Sequence, residues 1–154
     1  MRYIEKKQTQ MIKIMKIAEQ DLKDLKILYE ELTDNKSNYK KMVQSFRLIE
    51  QNKDYIILAA KYNGKLVGSL MGIICYDLVE ECKPFMVIEN VIVLSEFRGL
   101  GIGKEMMIEI EKIGKERDCF YTMFVSGLKR KDAHKFYESL GYKIDQVQGF
   151  KKYL

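Results

Sequence analysis

The 154-residue sequence contains one proline, one histidine and no tryptophan. Its three cysteines, Cys75, Cys82 and Cys119, form an odd set with no Cys-x-x-Cys spacing. That argues against a disulfide framework and against a structural zinc site, and no metal is expected. No apolar run approaches the ~18 residues of a membrane span. The opening Met1-Arg2-Tyr3-Ile4-Glu5-Lys6-Lys7 has no apolar stretch after its charges, so it does not read as a signal peptide. A cytoplasmic protein in a reducing compartment is expected, with no membrane partner. Arginine is scarce as well, with five among the 27 basic residues. The lysines are interleaved with Glu and Asp, so the net charge of +5 reads as a solvated lysine-rich surface. A nucleic-acid interface would want an arginine-rich stripe with aromatic residues between, and no nucleic-acid partner is expected. Internal repeats, low-complexity tracts and Pro/Gly/Ser linkers are also missing.

What is present is a chain that is 47% hydrophobic, long enough for one domain with a real core. Residues 1–10 are polar and aperiodic, and are expected to form a flexible extension before a domain spanning 11–154. Met11 opens the first patterned segment and is a second candidate start. The apolar residues Met11, Ile12, Ile14, Met15 and Ile17 predict a strand. Leu22, Leu25, Leu28 and Leu32 predict a helix over about 20–33. Tyr39, Met42, Val43, Phe46 and Ile49 predict a second. Strands are predicted over 54–62 and 66–76, joined at Asn63-Gly64, a pair suited to a two-residue hairpin turn. Further strands are predicted at 85–93 and 119–125, with a helix over about 102–117 between them. A short helix follows around 133–140, then closing strands at 142–144 and 148–153. The order is β-α-α-β-β-β-α-β-α-β-β: an α/β domain with a mixed central sheet, in which a right-handed crossover makes strands 85–93 and 119–125 parallel.

The most informative stretch runs from Val91 through Ile92 and Val93 to Arg98-Gly99-Leu100-Gly101-Ile102-Gly103-Lys104. A strand enters three alternate glycines and then a helix. Glycines let successive N–H groups converge and leave no Cβ in the way of an anion. The helix N-terminus adds unpaired donors and a partial positive charge. The Walker pattern fails, because Gly99 and Gly103 are one residue too close and Glu105 replaces the hydroxyl. The dinucleotide fingerprint fails too, because Lys104 stands where its third glycine belongs.

The spacing Arg98-x-x-Gly101-x-Gly103 resembles the pyrophosphate loop of the GNAT superfamily of acyl-CoA-dependent N-acyltransferases. Downstream, Ala133-His134-Lys135-Phe136-Tyr137-Glu138-Ser139-Leu140-Gly141-Tyr142 resembles its second signature, and the likeness covers roughly 11–154. The resemblance implies a GNAT-like domain whose parallel strands splay apart, with acetyl-CoA as co-substrate in the gap. It implies that backbone groups of Val91, Ile92 and Val93 pair with the pantetheine. The N–H groups from Arg98 through Gly99, Leu100, Gly101, Ile102 and Gly103 to Lys104 would cradle the pyrophosphate. Tyr137 matches a tyrosine that protonates the departing thiolate, and a phenol suits that task. Glu89 matches a carboxylate that takes the proton of the acceptor amine, directly or through water. Strand alternation places Glu89, Val91 and Val93 on one side, away from Asn90 and Ile92. Asn90 is a candidate for orienting substrate. His134, a helical neighbour of Tyr137, reads as a partly exposed helix residue or a coenzyme A contact. Arg130 stands where many relatives carry a cofactor-holding Asn.

The function implied is transfer of an acetyl group from acetyl-CoA to a primary amine of a small molecule, by direct attack in a ternary complex. Two alternatives stay open: a non-catalytic acyl-CoA-binding sensor, and acetylation of a protein amine. The acceptor is not named by the polar residues near 33–40 and 145–150. Structural relatives often dimerise, so a homodimer is a further expectation.

Overall fold

The computed structural model describes residues 12–154. The extension expected at 1–10, and Met11 as a start, lie outside the described residues. The chain falls into two compact units, the first closing at Thr122 and the second running from Met123 to Leu154.

In the first unit, β1 (Ile12–Lys16) leads through a 3₁₀ turn at Glu19–Asp21 into α1 (Leu22–Thr33). Leu22, Leu25 and Leu28 fall on one face of α1 and are buried. Asp34 ends the helix in the left-handed region, at φ 54°. Helix α2 (Tyr39–Glu50) starts at Asn38, whose side chain accepts the Lys41 N–H at 3.1 Å. Strands β2 (Tyr55–Tyr62) and β3 (Lys65–Cys75) form the expected hairpin. Asn63 and Gly64 both take positive φ, 48° and 87°, as a type I′ turn requires. Strand β4 (Phe85–Val93), a 3₁₀ turn at Ser95–Phe97 and α3 (Ile102–Glu116) follow.

The sheet order is β1-β2-β3-β4-β5, with the first four strands antiparallel to their neighbours. After α3 the chain returns beside β4. Phe120 N–H donates to Pro84 O and Met86 N–H to Tyr121 O, at 2.8 and 3.0 Å. The two segments advance in the same direction, so the sheet is mixed. The strand expected at 119–125 shrinks to β5 (Thr122–Met123). Nine residues of β4 therefore meet two of β5, and most of that β4 edge has no neighbouring strand among the described residues.

Each face of the sheet carries its own core. One packs Ile17, Leu22, Leu25, Leu28, Phe46, Ile57, Leu66, Ile92 and Leu94 under α1 and α2. The other packs Met86, Met106 and Ile110 under α3. Glycine matters at Gly72: a Cβ there would lie 2.7 Å from Ile110 Cδ1.

The second unit holds α4 (Lys131–Ser139), ended by Gly141 at φ 94°. The closing strands expected at 142–144 and 148–153 do not form; the backbone there is irregular. Ile144, Val147, Phe150 and Tyr153 are all exposed. With no buried face to pack against, these apolar residues do not secure a strand.

Candidate active site

Strand β4 is not regular. Met71 of β3 faces Glu89, and Ser69 faces Ile92, so Asn90 and Val91 together oppose one residue. This is a β-bulge, and Asn90 supplies its left-handed conformation at φ 56°. Two consequences follow from one extra residue. The side chains change face: Glu89 and Ile92 both lie on the α1–α2 face, while Ile88 and Val93 both lie on the α3 face, opposite Gly72 and Gly68. The expectation that Glu89, Val91 and Val93 share a side is therefore corrected. It assumed an unbroken alternation, and the bulge breaks it.

The backbone changes edge as well. Before the bulge the even residues point their N–H groups away from β3, as Met86 does toward Tyr121. After it they point toward β3, as Leu94 does to Val67 O at 2.9 Å. Val91 and Val93 then turn their backbone groups to the edge that β5 leaves uncovered. The Val93 carbonyl on that edge accepts from Arg98 Nε at 3.0 Å.

The edge runs directly into the glycine loop. Gly99 and Gly101 take φ 78° and 80°, and a Cβ at either would meet nothing within 4 Å. Gly101 is the N-cap of α3, and no side chain caps the helix. The N–H groups of Ile102, Gly103 and Lys104 open that helix, and first-turn donors have no partner within it. The Ile102 side chain is buried and anchors the turn, while Leu100 and Lys104 are exposed. Helix-start N–H donors with open space at the neighbouring glycines suit an anion such as a pyrophosphate. By contrast, a groove of about 250 Å³ on the α1 side of the loop is lined by Asp24, Glu31 and Glu96 against one cation, Lys65. That balance does not suit phosphates.

Glu89 is half-buried and Asn90 exposed. The Tyr29 phenol on α1 faces the side chains of Ser69 and Asn90. Burial pushes the phenol above its ordinary range, only partly offset by those two neighbours. Ser69, fully buried, donates to Leu58 O at 2.8 Å. Burial also raises the Cys119 thiol, which disfavours the thiolate a nucleophile would need.

In the second unit Tyr137 is buried among Phe124, Phe136 and Tyr142, with ring centroids 4.4, 5.2 and 6.3 Å away. Burial lifts its phenol above the usual range, and Arg130 pulls it part of the way back. His134 Nε2 lies 3.1 Å from Gly127 O. A carbonyl only accepts, so Nε2 carries the proton and ties α4 to the preceding turn.

Tyr29, Ser69 and Glu31 went unnoticed in the sequence. Ser69 carried the only available signal, a small polar residue inside an apolar run.

Residues 20–142 match the acetyltransferase (GNAT) family, and the chain belongs to it. It is an acetyl-CoA-dependent acyltransferase. An aminoglycoside N(6')-acetyltransferase type 1 of Acinetobacter genomosp. 13 is 24% identical over 111 residues, 70% of this chain and 76% of that protein. An aminoalkylphosphonate N-acetyltransferase of Salmonella typhimurium is 29% identical over 96 residues, 62% of this chain and 60% of that one. The glucosamine-6-phosphate N-acetyltransferase structure from Arabidopsis thaliana superposes with a TM-score of 0.81 at 24% identity, covering 93% of this chain and 99% of that chain. The last is a likeness of fold. No helix among the described residues is long and apolar enough to cross a membrane.

Proposed function

We propose that the protein acetylates a primary amine of a small molecule, with acetyl-CoA and amine bound together and no covalent enzyme intermediate. The observation that carries this reading is the continuity of β4 with the loop. Outward backbone groups at Val91 and Val93 lead into an uncapped helix start flanked by two left-handed glycines. Relatives named for acting on an aminoglycoside and an aminoalkylphosphonate support a small amine as acceptor.

In this reading the pantetheine amides pair with Val91 and Val93, and the pyrophosphate rests on N–H groups from Arg98 to Lys104. Glu89, directly or through water, takes the proton that the amine must lose before it attacks. Asn90, exposed at the bulge, orients the amine. The amine nitrogen bonds to the thioester carbonyl carbon, and the carbon–sulfur bond breaks. Tyr137 then returns a proton to sulfur. A phenol is protonated at neutral pH, the form a donor requires, and burial raises the pKa of this one further. His134 lies one helical turn from Tyr137 and borders the cofactor. The protein works in the cytoplasm.

Isothermal titration with acetyl-CoA tests the cofactor half. Micromolar binding is expected in the wild type, and its loss in the Arg98→Ala/Gly101→Val double variant. A panel of amines with thiol detection tests the rest: Glu89→Gln and Tyr137→Phe should each lower kcat by about 100-fold with acetyl-CoA affinity kept. Folded wild-type protein that does not bind acetyl-CoA would overturn the assignment.

A further inference from the structure

Glu31 lies in the last turn of α1, outside the two motifs quoted above. Two groups of the glycine-loop approach nevertheless end on its carboxylate. Oε1 accepts the Ser95 backbone N–H at 2.8 Å and Arg98 Nη2 at 3.2 Å. The same guanidinium reaches the end of β4 through its bond to Val93 O. One carboxylate and one guanidinium thus tie a helix, a strand end and the turn between strand and loop.

The sign of the charge makes the arrangement informative. A carboxylate near an anion cradle opposes the anion, and it neutralises the arginine beside it. The side chains of Glu31 and Arg98 are 33% and 59% exposed, so their pairing alone adds little stability. What the contacts do is fix direction. Ser95 opens the 3₁₀ turn that leads into Gly99–Gly103 and Arg98 caps it, and a loop ordered beforehand does not have to be ordered by its ligand.

We infer that Glu31 is a positioning residue for the cofactor loop, holding Ser95 to Arg98 so that the glycine N–H groups converge before acetyl-CoA arrives. The inference rests on the acetyl-CoA reading above. Positioning and simple electrostatics give opposite signs. If Glu31 acts only as a nearby charge, removing it tightens binding. If it positions the loop, removing it weakens binding although the charge change favours the anion.

The test is titration of wild type, Glu31→Gln, Glu31→Ala and Glu30→Gln with acetyl-CoA. Glu30 is the charge control: it sits one residue away, and its carboxylate is engaged by Lys26 Nζ at 2.6 Å and the Ser37 N–H at 2.9 Å. Glutamine at 31 keeps an acceptor for Ser95 and loses the charge on Arg98. We expect Kd to rise about threefold in Glu31→Gln and about tenfold in Glu31→Ala, and to stay within about twofold in Glu30→Gln. Unchanged or tighter binding in Glu31→Ala overturns the inference. Amide exchange on the free proteins separates its failure from failure of the acetyl-CoA reading. The amides of 95–103 should exchange faster in both Glu31 variants, while the α3 core amides stay protected. Equal loop exchange in wild type and variants overturns the role of Glu31, whatever acetyl-CoA does.

Discussion

The two parts of β4 make an instructive contrast. Phe85–Glu89 is ordinary sheet. On the β5 side Met86 N–H donates to Tyr121 O, just after Pro84 O accepts from Phe120 N–H, and on the other side its residues pair with β3. Beyond Asn90, Ile92 and Val93 keep their pairing to β3, but the extra residue has shifted the faces and turned the other backbone groups to an edge with no neighbouring strand among the described residues. The same strand is flanked on both edges in its first part and on one edge in its second. One residue with positive φ separates them.

Asn90→Val should break the contrast most severely, because a β-branched residue resists the left-handed conformation at φ 56°. Drawing all the residues into a regular strand instead would move Ile92 out of the α1–α2 core and Val93 into it. Stability should fall by about 3 kcal/mol, read as a lower denaturant midpoint. An Asn90→Val variant with the wild-type midpoint would mean that the left-handed residue is dispensable.

A pair of glycine substitutions sharpens the contrast. Gly72 pairs with Ile88 in the first part, and an added methyl would press on Ile110. Gly72→Ala should cost about 2 kcal/mol and leave acetyl-CoA affinity unchanged. Gly101 follows the second part, with open space around it and φ at 80°. Gly101→Ala should cost about 1 kcal/mol through backbone strain alone, and weaken acetyl-CoA binding by about tenfold. Equal effects of the two on affinity would refute the division of labour.

The smallest effect concerns Tyr29, which packs against the bulge from α1. Burial raises its folded pKa above the ~10 of an unfolded tyrosine. Its contribution is thus complete below pH 10 and is lost as pH rises through the folded value. Melting temperature should hold level up to about pH 10 and then fall, with a shallower fall in Tyr29→Phe. Parallel curves for wild type and variant would remove Tyr29 from that account.

The glycine loop was legible in the sequence because glycine is itself the conformational requirement. Gly99 and Gly101 do adopt the left-handed geometry their spacing implied. The hairpin at Asn63-Gly64 was legible for the same reason. The bulge was not, since an asparagine in a strand pattern reads equally well as a surface residue. Periodicity then carried Glu89 to the wrong face relative to Val93. Glu31 was invisible for a different cause: its partners lie 64 and 67 residues away, and no local pattern records a contact of that range. The closing segments misled because their apolar residues stay exposed, so nothing rewards an extended pairing there. Tyr137 was placed by its motif, while the aromatic cage around it depends on how α4 packs against Phe124 and Tyr142.

A strand that changes face midway belongs to two cores at once. Met86 is sealed beneath α3, and Ile92 beneath α1 and α2. Neither layer of the first unit can melt by itself, because each would have to release part of a strand that the other still holds. The strand therefore welds two hydrophobic layers into one cooperative block, and heat should remove both in a single transition with equal calorimetric and van't Hoff enthalpies.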